Sequence, residues 1–154
     1  MTPEERLVEM GLALPPVMAP TANYVNAVRT GDLLFLAGHN PWEDGEIRIT
    51  GKVGADRTIV EGQRAAQLVA LNLLSTVKAE VDELSRVARI VKLLVFVNSA
   101  PTFTEQHKVA DGASELLAAV FDARVAPHAR SAVGMVSLPF DMAVEIEMVV
   151  ELAR

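Results

Sequence analysis

Arg130 opens HARSAVGMV, a mostly apolar run with the pattern of a strand. An unpaired guanidinium is costly to desolvate there, so it needs a carboxylate partner. Two partners are open: a Glu of the last strand, which makes a structural ion pair, or the carboxylate of a bound ligand. Glu145 poses a similar choice. It shares one side of an alternating segment with Glu147, and either faces water or, in a cleft, handles a proton or orients a water molecule. Tyr24, the single Tyr, serves equally as a packing residue with a locally satisfied hydroxyl or as an aromatic wall. Geometry constrains these choices. If the last two strands formed a hairpin around Pro139 and Phe140, Arg130 would pair near Val149, about 13 Å from Glu145 at roughly 3.3 Å per residue. Either those strands are not neighbours, or the two residues of different chains complete one cleft.

Other chemistries find little support. His39, His107 and His128 do not stand at the spacing of a familiar zinc site, so no metal is expected. GKVGAD lacks both the phosphate-loop and the dinucleotide pattern and reads as a turn. No GxSxG elbow exists, and Ser131 lies within a strand. With no Cys there is no disulfide, thiolate zinc site or cysteine nucleophile. Fourteen Lys plus Arg against 20 Asp plus Glu give a net charge of -6, which argues against a general phosphate-binding surface and hence against nucleic acid. One well-placed Arg still suffices for a small anion.

The elements that must position these residues follow from local signals. Tyr24 to Val28 and Leu33 to Gly38 read as strands around a turn at Arg29 to Asp32. A short strand is expected near Ile47 to Ile49. Thr58 and Glu61 form a capping box, from which a helix with apolar residues at helical spacing runs to about Val81. Ala88 to Asn98 is apolar on both parities, as in a central strand covered on both faces. Thr102 and Glu105 suggest a second capping box, with a helix reaching about Phe121. His128 to Ser137 and Met142 to Leu152 are the last strands, and the final one alternates cleanly. The order strand, strand, helix, strand, helix, strand, strand predicts a two-layer α+β domain, with two helices on one face of a mixed sheet.

All 154 residues read as one domain with a short N-terminal extension over about residues 1–20. MTPEERLVEMGLALPP lacks the features of a secretory signal. Apolar runs such as Ile90 to Val97 fall short of the roughly 20 residues a membrane span needs. A cytoplasmic protein without membrane association is therefore expected. Hydrophobic residues make up 51% of the chain and mean hydropathy is +0.28, which leaves little polar material to coat a small domain. Part of the apolar surface should be covered by further copies of the chain.

HARSAVGMVSLPFDMAVEIEMV resembles the C-terminal signature of the Rid family, also called YjgF-type or, historically, L-PSP endoribonuclease proteins. In that pattern an Arg-Ser pair opens a strand, a Leu-Pro turn follows, and a V-E-I-E strand closes the domain. ANYVNAVRTGDLLFLAGHNP is similar to the family's opening, and GKVGAD and VKLLVFVNSAPTF extend the match from about residue 20 onward. The resemblance implies a chorismate-mutase-like α+β fold and a homotrimer with clefts between subunits. It also implies cofactor-free hydrolysis of enamine or imine acids, such as 2-aminoacrylate, to a 2-keto acid and ammonia. Carried over, Arg130 binds the substrate carboxylate and Glu145 lies near the water. Tyr24, Gly38 and His39 line the cleft, and Ser114 or Asp111 supplies a polar group from the second helix. Departures from the pattern are Ala37-Gly38-His39 where Ser-Gly-Gln is common, and Ala132 where Cys is frequent. Two alternatives stand beside the deaminase: a non-catalytic trimer that binds small carboxylic metabolites and regulates a partner, and RNA cleavage. The net charge and the lack of an adjacent His pair for acid-base chemistry disfavour the last.

Overall fold

The computed structural model describes all 154 residues. Its elements are α1 (Pro3–Glu9), β1 (Ala27–Thr30), β2 (Leu33–His39), β3 (Trp42–Glu43), β4 (Glu46–Ile47), α2 (Ile59–Val81), β5 (Val87–Asn98), α3 (Gln106–Val120), β6 (Ala129–Met135) and β7 (Val144–Leu152). The fold is the mixed-sheet α+β architecture expected, with the short α1 as a third helix. No helix is long and apolar enough to cross a membrane.

At the start of α2, Thr58 Oγ1 accepts the Glu61 N–H at 3.1 Å and the Glu61 carboxylate accepts the Thr58 N–H at 2.8 Å. This reciprocal pair satisfies two donors that an uncapped helix leaves orphaned. Asp82, at φ 69°, ends the helix. The second capping box does not form. Phe103 N–H bonds to Ala100 O in a turn, the Glu105 carboxylate pairs with Lys108, and α3 begins only at Gln106. Where α2 and α3 cross, a Cβ on Gly112 would lie 2.1 Å from Gln63 O, so only glycine permits that approach. The Asp44-Gly45 turn, at φ 50° and 84°, joins β3 to β4 and makes a small hairpin of the region read as one strand near Ile47.

The five-stranded sheet has the order β1-β2-β7-β5-β6. β5 and β6 are parallel, as the intervening α3 permits, and the other neighbours are antiparallel. β7 is central, and its alternation has the expected result. Val144, Ile146, Met148, Val150 and Leu152 are each at most 2% exposed, packed in the core beneath the helices. On the other sheet face Val28, Phe35 and Val133 stand exposed. The full coverage expected for β5 is thus met on one face only within a single chain: Leu93, Val95 and Val97 are buried, while Leu94 and Phe96 are partly open.

Candidate functional site

Arg130 lies on β6 opposite Leu93 of β5, with its side chain on the helix side of the sheet. Residues 107, 111 and 114 recur on one face of α3, and all three meet it. Nη1 donates to Asp111 Oδ1 and to Ser114 Oγ, each at 2.9 Å, and Nη2 donates to His107 O at 3.1 Å. The internal carboxylate is therefore an α3 aspartate and not a Glu of the last strand, one of the two partners that the sequence leaves open. The parallel β5–α3–β6 connection lays α3 over β6, whereas β7 is two strands away. The guanidinium is not sealed in. Its side chain is 22% exposed and that of Asp111 is 43% exposed. A guanidinium has five N–H donors, and three are committed here. Two remain for a ligand.

A proton-ordered chain supports the cluster. His128 Nδ1 lies 2.7 Å from Ala126 O, and His128 Nε2 lies 2.9 Å from Ser114 Oγ. In the neutral ring the carbonyl requires Nδ1 to carry the hydrogen, so Nε2 accepts from the Ser114 hydroxyl, whose oxygen accepts from Arg130. Ser114 is thus an orienting residue. The sequence carries the 107/111/114 spacing that marks this face, but the expected early start of α3 obscured its alignment with β6.

Glu145 occupies the opposite sheet face. It pairs with Phe96 and flanks the buried Val144 and Ile146. Burial first, and the nearby Glu147 carboxylate second, push its carboxyl above the ordinary glutamate range. Gly38 makes room for it: a Cβ there would lie 2.9 Å from Glu145 Cδ. The strand geometry explains the proximity. Leu36 pairs with Met148 and His39 with Ile146, so β2 carries one extra residue, and this bulge brings Gly38 onto the Glu145 side.

His39 pins that bulge from the other face. Nδ1 lies 2.7 Å from Ala37 O, and Nε2 lies 2.7 Å from Thr76 Oγ1 of α2. The residue is only 9% exposed, and burial holds the ring below the ordinary His range, partly countered by the Ala37 carbonyl. With both ring nitrogens occupied and the ring covered by α2, His39 does not present the ligand-binding group expected from its place in the motif. Tyr24 stands 44% exposed before β1, outside the strand in which it was expected.

Within one chain the predicted residues form two groups, Arg130 with Ser114 and Asp111, and Glu145 with Gly38. β5 separates β6 from β7, which removes the simple hairpin. Arg130 and Met148 both pair with Leu93, so Glu145 is three residues along and two strands across. That corresponds to about 14 Å between Cα positions at ordinary sheet spacings, with the side chains on opposite faces. No group of three or more His, Cys, Asp or Glu converges as metal ligands. On the Glu145 face a recess of about 360 Å3 is walled by Val25, Val28, Phe35, Leu94 and Val149, with Lys92 and Glu147 as its charged groups.

This sheet order, with two helices over one face and an arginine on the edge strand, is that of a known class. Residues 4–152 match the family model described as "YjgF/chorismate_mutase-like, putative endoribonuclease", and the chain belongs to that family. The match includes most of the N-terminal segment read as an extension. Among individual proteins, the chain is 48% identical over 146 residues to "Protein TCP17" of Trypanosoma cruzi, covering 95% of this chain and 91% of that one. It is similar to the crystal structure of Atu1372, a protein of unknown function from Agrobacterium tumefaciens, with 46% identity, a TM-score of 0.90, and coverage of 98% and 92% of the two chains. A "putative endoribonuclease" from Shewanella oneidensis superposes with a TM-score of 0.95 at 34% identity, covering 99% of this chain and 100% of that chain.

Proposed function

We propose that this protein is a hydrolytic deaminase of small enamine or imine carboxylates, working as a homotrimer whose clefts lie between subunits. The observation that carries the reading is Arg130: a partly exposed guanidinium, steered by Asp111, Ser114 and the His107 carbonyl, with two N–H donors uncommitted. Two donors match the two oxygens of one carboxylate. Glu145 is the proton-handling group. Its raised ionisation range suits a carboxyl that orients or deprotonates a water attacking the imine carbon. That carbon takes the water oxygen, the imine nitrogen takes protons, and collapse expels ammonia to leave the 2-keto acid.

Placement on opposite faces of one sheet means that Glu145 must meet an Arg130 supplied by a neighbouring protomer. The exposed apolar face and the free edge strands β1 and β6 favour such an assembly. Tyr24 then belongs to the same cleft as an exposed aromatic beside Arg130 of the adjoining chain. A second reading, a non-catalytic binder of small carboxylates, rests on the same uncommitted donors of Arg130 and needs no Glu145.

The test is hydrolysis of 2-aminoacrylate, generated in situ by a dehydratase, followed as keto-acid release. Wild type accelerates it, while Arg130→Ala and Glu145→Ala each lose most of the acceleration. Equal rates with and without wild-type protein remove the enzymatic reading for that substrate.

A further inference from the structure

A pocket of about 370 Å3 opens where the end of β6 meets the loop that leads from β5 into α3. It shares no lining residue with the Arg130 cluster or with Glu145. Gly134, which lines it, is four residues along β6 from Arg130, about 13 Å at roughly 3.3 Å per residue. The charged group of the pocket is Lys52. Its Nζ donates to Asn98 Oδ1 at 2.7 Å and to Val136 O. Asn98 is fully buried, and its own amide is held by Asp141 Oδ1 at 3.0 Å. Fixing so long a side chain costs rotamer entropy, and here neutral acceptors alone hold it: Asp141 reaches Lys52 only through Asn98, and no carboxylate forms an ion pair with the ammonium. One of its three N–H donors stays uncommitted.

The rest of the lining suits an anion. It contains no acid, in a chain whose net charge is -6. Ser99 is 6% exposed; its oxygen receives a long contact from Gln106 Nε2 at 3.5 Å, and its hydroxyl hydrogen goes to no protein group. Gln106 is steadied by a bond from the same nitrogen to Phe103 O at 2.8 Å. A Cβ on Gly134 would lie 2.7 Å from both Ser99 Oγ and Gln106 Nε2, so glycine on β6 leaves these polar groups their place. Pro101, Phe103 and Met135 supply apolar wall. One ammonium hydrogen and one hydroxyl hydrogen match the two oxygens of a carboxylate, and the wall takes the body that carries it.

We infer that this pocket is a second anion site, separate from Arg130, in which Lys52 and Ser99 grip a singly charged carboxylate with an apolar body. It stands whether or not the chain is a deaminase. The test is titration of the full-length, 15N-labelled protein with phenylacetate. The Gly134 backbone amide and the Gln106 side-chain amide report this pocket, whereas the Arg130 Nε–H reports the other cluster, so the two sites are read separately. The Gly134 and Gln106 signals shift saturably, and phenylacetamide, of the same shape without the charge, binds at least about tenfold more weakly. Lys52→Gln keeps a neutral amide donor but removes the charge; it reduces phenylacetate affinity at these signals about tenfold or more and leaves any shift at Arg130 in place. No saturable shift with phenylacetate, equal binding of phenylacetamide, or unchanged affinity in Lys52→Gln would each overturn the inference. Should Lys52→Gln fail to fold, the comparison of phenylacetate with phenylacetamide on the wild type decides alone.

Discussion

Gly38→Ala asks whether the bulge in β2 exists to accommodate Glu145. The added methyl would lie 2.9 Å from Cδ and 3.2 Å from both Cγ and Oε1 of that residue. Ordinary carbon contacts begin at about 3.5 to 4.0 Å, so the carboxyl must retreat by roughly 0.6 to 1.1 Å. Overpacking of this kind costs about 1 to 3 kcal/mol. Gly38 does not occupy the left-handed region, so the backbone accepts alanine, and the stiffer unfolded chain offsets about 0.4 to 1 kcal/mol. The net destabilisation lowers the melting temperature by a few degrees at about 2 to 4 °C per kcal/mol. A displacement near 1 Å in a reacting group is worth about 100-fold in rate. The assay is kcat/KM for 2-aminoacrylate hydrolysis beside thermal unfolding of the same preparation. Full activity in Gly38→Ala, when Glu145→Ala is impaired, refutes the claim that the bulge sets the position of Glu145.

Asp111→Asn keeps a hydrogen-bonding group beside Arg130 but removes the charge that competes with an incoming carboxylate. Because the pair is partly exposed, the gain is modest, about two- to fivefold in KM or Kd for a small acid, and isothermal titration with pyruvate checks it. Glu145 ionises later in the folded chain than in the unfolded one. Its contribution to stability is therefore present below the ordinary value of 4.5 and is lost as pH rises through the raised value. Thermal melts from about pH 4 to 7 should show that loss in wild type and its absence in Glu145→Gln, and the rising limb of kcat/KM should lie above 4.5. His39 has the opposite sign. Its lowered range supplies stability above the unfolded value of 6.5, lost as pH falls toward the folded value, and His39→Gln should flatten the acid side of a melting profile measured between about pH 7.5 and 5. Phe35→Glu places a charge on the exposed sheet face and should shift the mass measured by light scattering from trimer to monomer.

Local signals were the legible ones. The Thr58–Glu61 box needs only residues three apart, and it forms; the alternation from Val144 to Leu152 needs only a strand, and it buries every second residue. What failed depended on distant partners. Thr102 and Glu105 have the same spacing as the first box, but a turn at Ala100 to Phe103 and the pull of Lys108 delay the helix. The adjacency of β6 and β7 in sequence leaves open whether they are neighbours, and only the fold decides: β6 is carried by α3 to the far side of β5. The same connection decides the partner of Arg130, since the chain holds 20 acids and only the tertiary arrangement selects Asp111. His39 was indistinguishable from a cleft residue until the bulge was seen to turn it toward Thr76.

β7 occupies the middle of the sheet although it is synthesised after every other strand. Until residues 144–152 emerge, β1–β2 and β5–β6 can exist only as two separate ribbons, each with both edges bare. The β2–β7 ladder joins Leu33 to Glu151, a separation whose closure must precede most of the reward for making it. A ribosome carrying this nascent chain therefore holds two sticky half-sheets that wait for one late insertion, and premature termination before that strand leaves both unmated.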